Sequence, residues 1–140
     1  KLLEGLCIVD KNVLEDIQKI PRIFFLDSCF EQYAYQDKAF PISAGQTISQ
    51  PYTVAFQTQL LEVKKGDKVL DIGTGSGYQT AVLCTMGAKV YSIERQLELF
   101  KKTSLLLPKL GIRPKHLSFG DGYKLHVVPL NSSKPSLFAK

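Results

Sequence analysis

At 140 residues, 44% hydrophobic and 22% charged, the chain is too apolar for a disordered segment and long enough for one domain with its own core. A net charge of +5, carried by scattered rather than massed lysines, argues against a nucleic-acid footprint but suits the approach of acidic peptides. No apolar run nears the length of a membrane span, and no secretory leader is expected. The three cysteines (Cys7, Cys29, Cys84) lack metal-ligand spacing, so a cytoplasmic protein with reduced thiols, no membrane partner and no metal is expected.

Residues 1–9 are mixed and mostly apolar. Asp10 is placed to cap a helix reaching residue 19, with Val13, Leu14, Ile17 and Ile20 on one face and Pro21 as its stop. Residues 21–37 carry aromatics without a clean period, which predicts short helices and loops packed on the face of a sheet. Residues 40–51 form a polar loop with Pro41, Gly45 and Pro51, and Pro51 fits the first turn of a helix running to about residue 62. Gly66-Asp67 turns into a buried strand, Val69-Leu70-Asp71-Ile72, which runs into glycines 73, 75 and 77 and a helix over 79–86. A second strand over 89–94 ends at Glu94. A helix over 96–110 follows, its last turn disturbed by Pro108 and its end marked by Gly111. Leu117-Ser118-Phe119 reads as a third strand entering Gly120-Asp121-Gly122. Such alternation predicts an α/β fold with a parallel sheet and right-handed crossovers. The expected division is a helical segment with an active-site loop at 1–62, a βαβαβ core at 63–124 and an atypical tail at 125–140. Within that tail 125–130 could form a substitute strand, confined to an edge by Pro129.

The glycine spacing discriminates between ligands. A dinucleotide turn needs Gly-x-Gly-x-x-Gly, and Tyr78 stands where its last glycine would be. Asp71 puts a carboxylate beside the ligand, which favours a cationic group over a diphosphate. S-adenosylmethionine carries a sulfonium and an ammonium. Glu94, about 20 residues beyond the turn, sits where a ribose diol is gripped. Asp71, Glu94 and Asp121 fall at three successive strand ends around one crevice, the pattern of a class I methyltransferase core with a Rossmann-like sheet.

Gly45-Gln46-Thr47-Ile48-Ser49-Gln50-Pro51, then 69–78, then Gly120-Asp121-Gly122 resemble, in order, the protein-L-isoaspartate O-methyltransferase family, over roughly residues 1–124. The resemblance implies methyl transfer from S-adenosylmethionine, with S-adenosylhomocysteine as product, to the α-carboxylate of L-isoaspartyl residues in damaged proteins and peptides. It implies Ser49 as the active-site hydroxyl. It further implies Gly73, Thr74, Gly75 and Gly77 around the methionine part, Glu94 at the ribose, Asp121 and Gly122 towards the adenine, and Thr47 lining the same pocket beside Asp71. On the residues alone, Ser49 reads equally as a helix N-cap beside Pro51.

After Tyr123 the resemblance stops, so the Rossmann-like sheet is expected to be incomplete in its C-terminal half. A frameshifted or prematurely ended gene is one expectation. An uncovered sheet edge and bare apolar faces are another, with homo-oligomers forming through that edge. Two alternative functions stand beside repair: a class I methyltransferase acting on another small molecule or on RNA, and a non-catalytic oligomeric remnant.

Overall fold

A computed structural model describes residues 3–5, 7–118 and 124–128. After a short 3-10 turn, α1 spans Lys11–Gln18, and Asp10 Oδ1 accepts from the Asn12 and Val13 amides as its N-cap. Two further 3-10 turns, Arg22–Phe25 and Ser28–Tyr33, lead into a small antiparallel ribbon of β1 (Phe40–Pro41) and β2 (Thr47–Ile48). The ribbon's turn holds Ala44 and Gly45 at positive φ, 59° and 65°. Then come α2 (Pro51–Leu60), β3 (Lys68–Ile72), α3 (Tyr78–Thr85), β4 (Lys89–Glu94), α4 (Leu97–Lys109), β5 (Lys115–Ser118) and β6 (Lys124–Val128).

The end signals work as their chemistry requires. Gly87 (φ 87°) and Gly111 (φ 78°) close α3 and α4 in the same way. Ala88 N donates to Leu83 O and Gly87 N to Cys84 O; Ile112 N donates to Leu107 O and Gly111 N to Pro108 O. Each is a Schellman closure that satisfies carbonyls the helix cannot pair itself. Pro108 is accommodated inside the last turn of α4, since the helix runs on to Lys109. At Gly87 any Cβ would lie 2.9 Å from Lys65 Cγ, so the position demands glycine twice over.

The four-stranded sheet has the order β3-β4-β6-β5. β3 and β4 pair in parallel, with Val69 opposite Val90 and Asp71 opposite Ser92, which is the Rossmann-like part of the fold. β6 pairs antiparallel with both β4 and β5. The expected edge strand at 125–130 is therefore corrected: the described strand, Lys124–Val128, lies inside the sheet, and Pro129 falls outside the described residues.

The core divides in two. One cluster joins Ile8, Val13, Ile17, Phe25, Phe40 and Ile48 to Val54 on α2, Tyr78 and Ala81 on α3 and Leu107 on α4. The smaller cluster, Leu83, Ala88 and Val90 with Val63 and Val69, lies between α3 and the parallel strands. The expectation that the aromatic N-terminal segment packs on the face of the sheet is corrected: Phe25 and Phe40 pack against side chains of α2, α3 and α4. Among the described residues one face of β3 and β4 is buried, and the other is half-buried on β4, at Tyr91 and Ile93, and open on β3. Val90 and Ser92 are fully buried, whereas Leu70 and Ile72 are 58% and 79% exposed.

Candidate functional site

The glycine turn joins the end of β3 to α3. Gly73 N and Thr74 N both donate to Ile93 O on β4, and Gly77 N closes the turn on Thr74 O at 2.8 Å. All three glycines have positive φ, 85°, 55° and 86°. Their surroundings differ. A Cβ on Gly73 would meet nothing within 4 Å, leaving open space for a ligand against the main chain. One on Gly75 would touch Ile42 Cδ1 of the ribbon at 3.8 Å. One on Gly77 would press on Thr103 Cγ2 at 3.3 Å and Leu107 Cδ2 at 3.4 Å. Gly77 thus makes room for α4, and that packing fixes where α3 begins.

Asp71 is held by hydroxyls. Thr80 Oγ1 donates to Asp71 Oδ2 at 2.6 Å and Ser92 Oγ at 2.8 Å; Ser92 in turn shares a 2.6 Å hydrogen bond with the buried Thr74 hydroxyl. Burial pushes the Asp71 carboxyl above its usual range, the two hydroxyls pull it back and Glu94 nearby pushes it up again. Two carboxylates in one half-buried crevice create a field that favours a cationic ligand. Glu94, 5% exposed, accepts from Gly75 N on Oε2 and Gln96 N on Oε1, both at 2.8 Å, and so ties the turn to the start of α4. Each oxygen keeps a second lone pair for a further donor.

The Ser49 loop is built by long-range contacts. Ser49 is exposed and does not cap α2: the N-cap position is Gln50, and Tyr52 N is satisfied at 2.8 Å by Asp37 Oδ1, from another segment. The capping reading of Ser49 is thereby set aside. Ser49 O accepts from Arg22 Nη2 at 2.8 Å. The Arg22 guanidinium also lies 4.9 Å over the ring of Tyr78, the first residue of α3. Arg22 therefore couples the Ser49 loop to the element that follows the glycine turn. Thr47 is exposed on the ribbon, whose Ile48 enters the core. Lys102 Nζ on α4 donates to Ser43 Oγ in the ribbon's turn. A cavity of about 220 Å³ lies between ribbon, glycine turn and α4, walled by Phe24, Ile42, Gly75, Ser76 and Leu99; among the described site residues predicted from sequence, Gly75 alone lines it.

Asp121 and Gly122 lie outside the described residues. Sequence reasoning did not assign Thr80, Ser92, Arg22 or Asp37 to the site. A hydroxyl in the middle of an otherwise apolar strand was the available signal for Ser92, and a charged residue among Pro21, Ile23 and Phe24 for Arg22. Burial pushes the Cys84 thiol up to about 12, with Asp71 adding to it, so it is an inert thiol. Among the described residues no group of three His, Cys, Asp or Glu could hold a metal, and no helix is long and apolar enough to cross a membrane.

A glycine turn between parallel strands, with carboxylates at both strand ends, defines a Rossmann-like domain of the methyltransferase class. Residues 1–127 match the family model for protein-L-isoaspartate(D-aspartate) O-methyltransferase, and the chain belongs to this family. It is 83% identical over 117 residues to a protein-L-isoaspartate O-methyltransferase of Flavobacterium psychrophilum, covering 84% of this chain and 55% of that one. It is 73% identical over 122 residues to its counterpart in Flavobacterium johnsoniae, covering 87% and 57%. The chain thus spans about half the length of the curated relatives it matches. A solved protein-L-isoaspartate O-methyltransferase superposes with a TM-score of 0.72 at 27% identity, over 80% of this chain and 38% of that one. A Plasmodium falciparum structure described as a beta-aspartate methyltransferase, in complex with S-adenosyl-L-homocysteine, shares the fold with a TM-score of 0.62 at 24% identity, over 78% and 55%.

Proposed function

We propose that the chain acts in protein repair, taking a methyl group from S-adenosylmethionine to the α-carboxylate of an L-isoaspartyl residue and leaving S-adenosylhomocysteine. One observation carries this reading above the others. Arg22 bonds the Ser49 carbonyl and stacks on Tyr78, so the loop bearing Ser49 and the glycine turn are held as one unit.

S-adenosylmethionine supplies an electrophilic methyl group on a sulfonium. A carboxylate is nucleophilic enough to take it, so the chain needs no strong base; its task is to align acceptor with donor and exclude water. The exposed Ser49 hydroxyl holds the acceptor carboxylate by a hydrogen bond. Asp71 and Glu94 complement the positive charges of the donor, and the open side of Gly73 accepts its methionine part, with Thr47, Thr74 and Gly75 around it. Glu94 offers its remaining lone pairs to the ribose hydroxyls. Asp121 and Gly122 take the adenine end.

Labelled methyl transfer to an isoaspartyl peptide, with the aspartyl peptide as control, tests the reading. Transfer to the isoaspartyl peptide alone is expected, and Ser49→Ala should cut it roughly tenfold to a hundredfold. Equal labelling of both peptides would overturn the substrate, and an unaffected Ser49→Ala the role of Ser49. Self-association through the β3 edge goes with this reading, supported by the place of β3 at the end of the sheet among the described residues, with Leu70 and Ile72 exposed beside that edge. A clean monomer at micromolar concentration would contradict it. A cytoplasmic setting is supported by the free thiols of Cys7, Cys29 and Cys84.

A further inference from the structure

The helical threonines differ in what their hydroxyls do. Thr58, Thr85 and Thr103 each donate to the backbone carbonyl four residues back, at 2.7, 2.9 and 2.9 Å, a common resting place for a hydroxyl on a helix. Thr80, in the first turn of α3, turns instead to β3 and donates to Asp71 Oδ2 at 2.6 Å. It is fully buried.

The protons of this group have a single consistent direction. Each hydroxyl carries one. Ser92 Oγ gives its proton to Asp71 Oδ2 at 2.8 Å, so in the 2.6 Å contact between Thr74 and Ser92 the donor is Thr74. Thr80 Oγ1 also lies 3.1 Å from Ser92 Oγ, a longer branch beside its bond to the carboxylate. All three hydroxyls are buried and all three point, directly or through Ser92, at one oxygen of Asp71. Oδ2 accepts twice, whereas Oδ1 accepts no hydrogen bond from a described residue. A carboxylate held in this way cannot turn freely, and it keeps one oxygen for a further donor. It stands at the end of β3, two residues before the open side of Gly73.

Resting on the reading that S-adenosylmethionine is the methyl donor, we propose that Thr80 is a positioning residue: with Ser92 it holds the Asp71 carboxylate so that Oδ1 receives the ammonium of the donor's amino-acid part. Thr80 acts only through Asp71 and leaves the adenosine part of the ligand untouched.

Calorimetric binding to the whole chain, at fixed pH and ionic strength, tests this with S-adenosylhomocysteine and 5′-methylthioadenosine. Both are adenosine thioethers, and only the first carries an amino-acid ammonium. Thr80→Val keeps the shape of the side chain and removes its donor. It should weaken S-adenosylhomocysteine roughly tenfold and leave 5′-methylthioadenosine within about twofold, and Thr80→Ser should restore the first. A purely structural role for Thr80 would weaken both ligands together. Equal weakening of both, no weakening of either, or a Thr80→Ser that binds as poorly as Thr80→Val would overturn the proposal and leave the donor reading standing. Failure of the parent chain to bind either ligand would overturn both. Should Thr80→Val not fold, the parent alone decides: the Thr80 hydroxyl proton should resist exchange with water in NMR spectra and shift with S-adenosylhomocysteine but not with 5′-methylthioadenosine. An unprotected hydroxyl, or the same shift with both ligands, would sink the idea.

Discussion

The two faces of the β3–β4 pair are built from the same ten or so residues and have opposite fates. On one face Val90, Ser92 and Glu94 are 0%, 0% and 5% exposed, packed beneath α3 and α4. On the other, Leu70 and Ile72 are 58% and 79% exposed, in register with Tyr91 and Ile93. The covered face is the more polar of the two. It holds Asp71, Ser92 and Glu94, each satisfied by a hydroxyl or backbone amide, whereas Leu70 and Ile72 on the other face stand in solvent beside the half-buried Tyr91 and Ile93. Burial here follows the site and not hydrophobicity alone: the helices that cover the polar face also supply the Thr80 hydroxyl and, at the start of α4, the Gln96 amide.

That contrast can be broken by substitution. Val90→Ala on the covered face should cost about 2 kcal/mol, because the lost methyl groups leave a hole between α3 and the sheet. Chemical denaturation would measure it, and a loss below about 0.5 kcal/mol would mean that the small cluster is not packed as described.

Ser92→Ala should cost about 1 kcal/mol and should also move a titration. The Ser92 hydroxyl favours the charged form of Asp71, which burial already disfavours. Without it the Asp71 carboxyl takes up its proton at higher pH. A raised folded pKa means that the folded state holds this proton more tightly than the unfolded chain. The Asp71 contribution to stability is therefore best below the ordinary carboxylate value of 3.8 and is lost as pH rises through the raised folded value. Binding of S-adenosylmethionine, which needs the charged form, should run the other way and fail as pH falls, sooner in Ser92→Ala than in the parent. Calorimetric titration across pH would show this; identical profiles would detach Ser92 from Asp71.

Ile72→Ala on the bare face is the smallest effect, within about 0.5 kcal/mol for the isolated chain. Its readout is association: sedimentation should show weaker self-association than the parent. A stability loss approaching that of Val90→Ala would show that this face is covered after all.

The strands and helices around the glycine turn were legible because their signals are local. An apolar run into Asp71 and another into Glu94 mark β3 and β4, though the expectation of a buried β3 is corrected by the exposure of Leu70 and Ile72; Asp10 starts a helix and Gly87 and Gly111 end helices through hydrogen bonds to near neighbours. The Thr47–Pro51 segment was legible by resemblance. Arg22, Asp37 and Thr80 were not, since each acts on a partner nine or more residues away: Arg22 on Ser49, Asp37 on Tyr52, Thr80 on Asp71.

By itself the sequence determined the left-handed turns at Gly87 and Gly111, where helices begin and stop, and which strand ends carry acid, because those features depend on each residue's own φ range and on the next few hydrogen-bonding groups; the left-handed Ala44 was not among them. Only the tertiary structure decided that β6 runs antiparallel inside the sheet, that one face of β3 is covered while its apolar other face is not, and that a charged arginine is buried between the Ser49 loop and α3. Strand pairing and burial are settled between segments distant in sequence, where many arrangements satisfy the same local pattern and the packed one is chosen by what else must be covered and hydrogen-bonded.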